Sequence, residues 1–195
     1  MVELEKKFML SKEEFDCLIS HFGRRMSVAQ QINYYFDTDD FSMNRQNITC
    51  RIRLKDGKYK GTVKQHITNT NRSIETDVEE TRDVYNNAFI DMGLQLQGQL
   101  VTKRHIISKN SVCEVALDKN EYLGFVDYEL EIEYDNDHEQ EASKALQSII
   151  EVLMNNDPEL TLKNIALRSS NIPSKSKRFF WRKLKNNTNV DSSEK

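Results

Sequence analysis

Glu3-Leu4-Glu5-Lys6-Lys7 lies in the first strand-like segment of the chain. Strand side chains alternate with a period of two, so Glu3, Glu5 and Lys7 share one face while Val2, Leu4 and Lys6 share the other. Like charges two residues apart are costly on an ordinary sheet. They become sensible where a cation or a strongly charged ligand stands in front of them. The same one-sided pattern recurs along the chain. Arg51, Arg53 and Lys55 oppose Cys50, Ile52 and Leu54, and Lys60, Thr62 and Lys64 oppose Gly61 and Val63. Glu75, Asp77 and Glu79 oppose Ile74 and Val78. Glu114, Ala116 and Asp118 oppose Cys113, Val115 and Leu117, and Asp127, Glu129, Glu131 and Glu133 oppose Tyr128, Leu130 and Ile132.

Each of these strands has one charged and one apolar face. An open sheet with its charged side in solvent explains any one of them. It is strained as an explanation of all, because each strand carries charge mostly of a single sign and a solvated sheet would mix signs across neighbours. The alternative is a closed barrel with a charged interior and an apolar exterior partly covered by helices, large enough to hold a ligand.

The remaining elements fit this architecture. Ser11 with Glu14 makes a capping box for an amphipathic helix over residues 12–22, with Phe15, Leu18, Ile19 and Phe22 on one side. Residues 31–37 (QINYYFD) read as a strand. Residues 47–55 and 58–66 read as a hairpin around Asp56-Gly57. Residues 73–80 alternate again. A helix capped by Asp83 runs to about Met92 and ends at Gly93. Strands are expected at 100–108, 111–118 and 124–134, joined by the short links 109–110 and 119–121. A helix follows at 139–154, with Ala142, Leu146, Ile149, Ile150 and Leu153 on one side. Asp157-Pro158 is a helix start with proline at its first position. About eight strands with short links imply antiparallel pairing, hence an α+β domain.

Composition narrows the function. At 195 residues the chain suits one domain with a tail. The net charge of -3 gives neither a global basic excess for nucleic acid nor an acidic excess for disorder. Cys17, Cys50 and Cys113 form no metal motif or disulfide framework and suit a reducing compartment. Glu3 and Glu5 sit where the apolar region of a signal peptide would be, so none is expected, and no apolar run is long enough for a membrane span. The expectation is a cytoplasmic protein. No glycine-rich phosphate loop is present. His21, His66, His105 and His138 are scattered and read as structural or surface groups.

These residues resemble the CYTH superfamily, the triphosphate tunnel metalloenzymes. The similarity rests on five elements in order: Glu3, Glu5 and Lys7 in the first strand; Tyr35-Phe36-Asp37-Thr38; Arg51 and Arg53; Lys64; and Glu129 with Glu131 late in the chain. The middle acidic strand is looser, with Arg72, Glu75, Asp77, Glu79 and Glu80 leaving its register open. Among Lys103-Arg104-His105 the inward residue is read as Arg104, with Thr102 and Ile106 on its face. The resemblance covers about residues 1–180. It implies an eight-stranded antiparallel tunnel that binds a triphosphate and Mg²⁺ or Mn²⁺; the domain is expected over residues 1–183, and the polar composition of 184–195 predicts a disordered tail.

Chemistry assigns roles within that frame. Lys7, Arg51, Arg53, Lys64 and Arg104 suit phosphate, arginine by bidentate contact and lysine as a point charge. Glu3, Glu5, Glu129 and Glu131, with Asp118 and Glu79 as further candidates, suit a hard divalent cation. Glu5, Lys7 and Glu131 are the candidate catalytic groups. The basic aromatic segment 175–185 is expected to form a short helix that packs Phe179, Phe180 and Trp181 on the domain. Lys175, Lys177 and Arg178 would then reach the tunnel mouth to bind phosphate. A membrane-surface or nucleic-acid patch is the other reading of that segment. Hydrolysis of inorganic triphosphate is the leading activity. A class IV-type adenylate cyclase, a thiamine triphosphatase and a binding module that senses polyphosphate or nucleotide without turnover are the alternatives. The expected partner is a small-molecule triphosphate rather than a membrane or a nucleic acid, and a homodimer stays open.

Overall fold

A computed structural model describes residues 2–67, 72–78, 83–84, 87–135, 137–157 and 172–191. Eight strands, all antiparallel, close into a barrel in the order β1-β5-β4-β3-β2-β6-β7-β8. They are β1 (Val2–Leu10), β2 (Ser27–Asp37), β3 (Ile48–Lys55), β4 (Lys58–His66), β5 (Arg72–Asp77), β6 (Gln95–Lys109), β7 (Cys113–Tyr122) and β8 (Phe125–Tyr134). Closure rests on β1, which pairs with β8 along Leu4–Leu10 and with β5 along Val2–Leu4. Among the described residues five α-helices accompany the barrel: α1 (Lys12–Phe22), α2 (Ser42–Arg45), α3 (Asn87–Asp91), α4 (Glu139–Asn156) and α5 (Lys175–Asp191). No helix among the described residues is long and apolar enough to cross a membrane.

The apolar strand faces point outward and are covered. Phe8, Val115, Leu117, Leu130 and Ile132 pack against Phe15 and Leu18 of α1 and against Ala142, Ile149, Ile150 and Leu153 of α4. Phe36, Cys50 and Ile52 pack against Phe89 of α3 and Leu94. Lys6, on the outer face of β1, reaches Glu139 at 3.1 Å. The α1 capping box forms as expected, with the Glu14 N–H donating to Ser11 Oγ at 3.2 Å and the Ser11 N–H to Glu14 Oε2 at 2.7 Å. Asp56 and Gly57 both take positive φ, 51° and 73°, which matches the twist of the β3–β4 hairpin.

Several boundaries differ from expectation. Residues 119–121 continue β7, and the β7–β8 turn is made by Leu123 and Gly124, both at positive φ. Leucine carries no turn signal, so asparagine and lysine drew the prediction to the wrong place. The helix expected from Asp83 to Met92 is only Asn87–Asp91. The C-terminal helix runs to Asp191, so residues 184–191 of the expected tail are helical. Asp157-Pro158 and Glu79 lie at or beyond the edge of the described residues.

One apolar layer lies inside the barrel. Tyr35, Leu100 and Tyr122 face inward and meet Phe179 and Phe180 of α5 together with Phe41. The α5 helix therefore closes one end. Trp181, expected to pack beside them, is 49% exposed. Gly98 is the site of closest approach: at φ 141°, a Cβ there would stand 2.9 Å from Phe179 Cζ. Gly98→Ala should therefore cost about 1–3 kcal/mol, from backbone strain plus overpacking, in urea unfolding. An unchanged midpoint would mean that Phe179 is not seated against Gly98.

Candidate functional site

Because the strands close with their charged faces inward, charge from six of them converges on one cavity, and a seventh, β2, adds neutral residues. Its open space is about 890 Å³, mouth included. Its walls include Lys7, Arg51, Arg53, Lys55, Lys64, Arg104, Lys109 and Lys175, eight cations, against four carboxylates, Glu5, Glu114, Glu131 and Glu133. All five residues read from the sequence as phosphate ligands on strands thus line one space. Arg104 is the inward member of its trio, level with Asp118 across the β6–β7 ladder. His105 turns outward against Phe15, with ring centroids 5.7 Å apart.

The β5 register also resolves. Glu75 accepts from Arg51 Nη2 at 3.0 Å, and Asp77 pairs with Lys60 at 2.8 Å with both side chains mostly exposed. Glu3 pairs through its backbone with Ser73, and its side chain lies outside the described residues. Asp37 of the Tyr-Phe-Asp-Thr element is fully buried but not a wall residue. Its carboxylate accepts from the Thr38, Met43 and Asn44 backbone N–H groups at 2.8–2.9 Å, and so holds the chain where it enters α2.

At the closed end, Asp118, Glu129 and Glu131 each bring an oxygen to within 4.8 Å of the others, all buried. An all-oxygen donor set of this kind suits Mg²⁺ or Mn²⁺. Cations of the protein already meet it. Lys175 Nζ lies 3.0 Å from Asp118 Oδ2, 2.5 Å from Glu129 Oε1 and 2.9 Å from Glu131 Oε2. Arg104 binds Asp118 at 2.8 Å and also contacts Glu131. Arg178 binds Asp127 at 2.9 Å and contacts Glu129. Lys7 bridges Glu5 at 2.9 Å and Glu131 at 3.3 Å.

Sequence reasoning placed Lys175 and Arg178 at the mouth as phosphate ligands, and the structure sets them among the carboxylates instead. Helical spacing from Phe179 inward was the signal that could have found them. Lys177 does not line the cavity and donates to Asn47 Oδ1 at 2.8 Å. The neutral lining residues Gln31, Asn33 and Thr49 also escaped the sequence reading, whereas Thr102 lines the cavity as its inward placement beside Arg104 implied.

Burial acts to raise Glu129 and Glu131, yet Lys175 foremost keeps both below the usual carboxylate range, helped by Arg178 at Glu129 and by Lys7 and Arg104 at Glu131. Burial likewise acts against the Lys175 ammonium, and Glu129, Glu131 and Asp118 hold it well above the ordinary lysine value. Glu5 is raised, by burial first and by Glu131, against the pull of Lys7. Arg53 is lowered to about 10 by burial and by the neighbouring Arg51 and Arg104. Its Nε donates to Asn33 Oδ1 at 3.0 Å. His66, expected to be structural or surface, lines the cavity; burial and Lys64 lower it to about 4.

Three comparisons agree with this geometry. The CYTH domain profile matches residues 1–165. YjbK of Bacillus subtilis (strain 168), provisionally named a triphosphatase, is 32% identical over 163 residues, 75% of this chain and 85% of YjbK. A crystal structure from Bacillus halodurans, provisionally named an adenylate cyclase, is 28% identical with a TM-score of 0.63, covering 91% of this chain and 97% of that one. HpAC1 from Hippeastrum, described as having a dominant triphosphatase activity, shares the fold at 16% identity and a TM-score of 0.57, over 88% of this chain and 98% of its own.

The His66 environment predicts a pH dependence. The unfolded chain takes up this proton near pH 6.5 and the native protein only near 4. The unfolded state therefore binds more protons in that window, and stability falls as pH drops through it. In His66→Gln that part of the slope should vanish, read by urea unfolding at pH 7 and pH 5. An equal slope in both proteins would assign it to other groups.

Proposed function

Because the chain belongs to the CYTH domain family, we propose that it is a Mg²⁺- or Mn²⁺-dependent triphosphate hydrolase, with inorganic triphosphate as substrate, acting inside the barrel. The observation that carries this reading is the convergence of Lys7, Arg51, Arg53, Lys64 and Arg104 from four strands on one cavity. A triphosphate is a compact polyanion that such a set of donors suits. Arg53 supports it further, since burial and then the neighbouring Arg51 and Arg104 disfavour its charged guanidinium, which an anion would stabilise. Arg51 and Arg53 offer planar forks to phosphate oxygens, while Lys7, Lys64 and Arg104 complete the surround.

Glu5, Glu129, Glu131, Asp118 and Glu3 are the residues that would hold the metal, which supplies charge neutralisation and activation of water for in-line attack. Lys7 sits between Glu5 and Glu131, where it orients both carboxylates and faces the cavity. Glu5, Lys7 and Glu131 are accordingly assigned to catalysis. Residues 1–183 are taken as the functional unit, since α5 supplies wall residues beyond the end of the family match at residue 165.

The name of the Bacillus halodurans relative supports a second reading, conversion of ATP to cyclic AMP. Both are tested together. Purified protein with Mg²⁺ or Mn²⁺ is expected to release phosphate from tripolyphosphate and to make no cyclic AMP from ATP. Cyclic AMP with pyrophosphate would favour the cyclase, and binding without turnover would leave a non-catalytic polyphosphate binder. Arg53→Ala should weaken triphosphate binding by about 1.5–3 kcal/mol, the loss of one charge-assisted contact. Glu5→Gln removes a metal-ligand candidate and no phosphate donor, so turnover should be lost while metal-free triphosphate binding is retained. Full activity in Glu5→Gln, or unchanged affinity in Arg53→Ala, would remove that residue from the site.

A further inference from the structure

The acidic cluster that suits a divalent ion is met by an ammonium from the protein itself. Lys175 Nζ contacts one oxygen each of Asp118, Glu129 and Glu131, at 3.0, 2.5 and 2.9 Å. These three residues are the same ones whose oxygens converge within 4.8 Å. An ammonium and a divalent ion directed at one set of oxygens exclude each other, since a divalent ion bonds at about 2.0–2.1 Å and brings its own charge.

We propose that Lys175 is a built-in counter-cation that competes with the divalent metal, so that metal occupancy and docking of the first turn of α5 oppose one another. This rests on the metal-dependent reading of the site and deepens it. In the state described here the ion pairs of α5 balance the buried carboxylates, and the barrel keeps its charge when no metal is bound. Metal binding, favoured by the charge of a triphosphate, releases Lys175 toward the cavity that it already lines.

The anchoring of α5 fits a part that moves locally. Its first turn is held by polar contacts: Thr49 and Ser176 hydroxyls at 2.7 Å, Lys177 to Asn47 at 2.8 Å, and Arg178 on Asp127 at 2.9 Å. The next residues, Phe179 and Phe180, are seated in the apolar layer and keep the helix tethered.

The test is Mn²⁺ binding by calorimetry to the full chain, to Lys175→Met and to Lys175→Arg. Lys175→Met is expected to bind Mn²⁺ about tenfold tighter or better, because a unit charge leaves the cluster, and Lys175→Arg no tighter than wild type. Equal Mn²⁺ affinity in Lys175→Met and wild type overturns the proposal.

A cross-link covers the case in which Lys175→Met fails to fold. Thr49 and Ser176 replaced together by cysteine would pin the first turn of α5 when oxidised, and Cys50 lies on the opposite face of β3. The oxidised form should bind Mn²⁺ more weakly than the reduced form, and equal affinities overturn the proposal. Metal-dependent tripolyphosphate hydrolysis with equal affinities would reject the counter-cation alone. Absence of both metal binding and hydrolysis in every protein would reject the proposed function with it.

Discussion

Glu131 accepts from cations delivered by three different elements, and the interior is arranged around it: Lys7 from β1 at 3.3 Å, Lys175 from α5 at 2.9 Å, and Arg104 from β6. A lone buried carboxylate would protonate or unfold its surroundings. Glu131 instead stays below the usual carboxylate range because three positive groups repay its desolvation. The constraint is mutual. Each of those cations is itself buried and needs a carboxylate, so β1, β6, β8 and α5 can reach the interior only together.

The exterior supplies what such a network cannot. Buried ion pairs roughly break even against their desolvation, so stability has to come from elsewhere. It comes from the outward apolar faces, where α1 and α4 cover Phe8, Leu117, Leu130 and Ile132, and where Phe89 with Leu94 covers Phe36, Cys50 and Ile52. Alternation along each strand thus divides the labour. One set of side chains folds the barrel and the other is free to carry charge.

That division explains what was legible in the sequence. Strands with one charged and one apolar face could be read by period two alone, and Glu5, Lys7, Arg51, Arg53, Lys64, Arg104 and Glu131 all line the cavity as that alternation requires. Long-range pairing was not legible. Nothing local in Lys175-Ser176-Lys177-Arg178 says which carboxylates it will meet, because its partners Asp118, Glu129 and Glu131 lie 44 or more residues away. Tyr35, Leu100 and Tyr122 broke the rule in the other direction. They are apolar or aromatic residues on the inward face, and Phe179 and Phe180, with Phe41, supply the apolar surface they pack against. The Leu123-Gly124 turn was missed because its first residue takes a left-handed conformation, φ 49°, that leucine rarely adopts.

The inward aromatic layer also sets a direction. With α5 filling the end defined by Tyr35, Leu100 and Tyr122, the cavity is blind there among the described residues, and a ligand would reach it from the opposite end. Lys55 near the β3–β4 turn, Lys109 and Glu114 at the β6–β7 turn, and Glu133 across the ladder from Glu114 stand at that open end. The carboxylates that suit a metal lie beyond them, toward the blind end, with Asp118 level with Arg104 across the ladder. A linear polyanion entering terminal group first would bring that group to the acidic cluster and leave its other end, with any organic substituent, in the mouth. Under the proposed function, selectivity among triphosphates would belong to the mixed-charge rim and the chemistry to the depths.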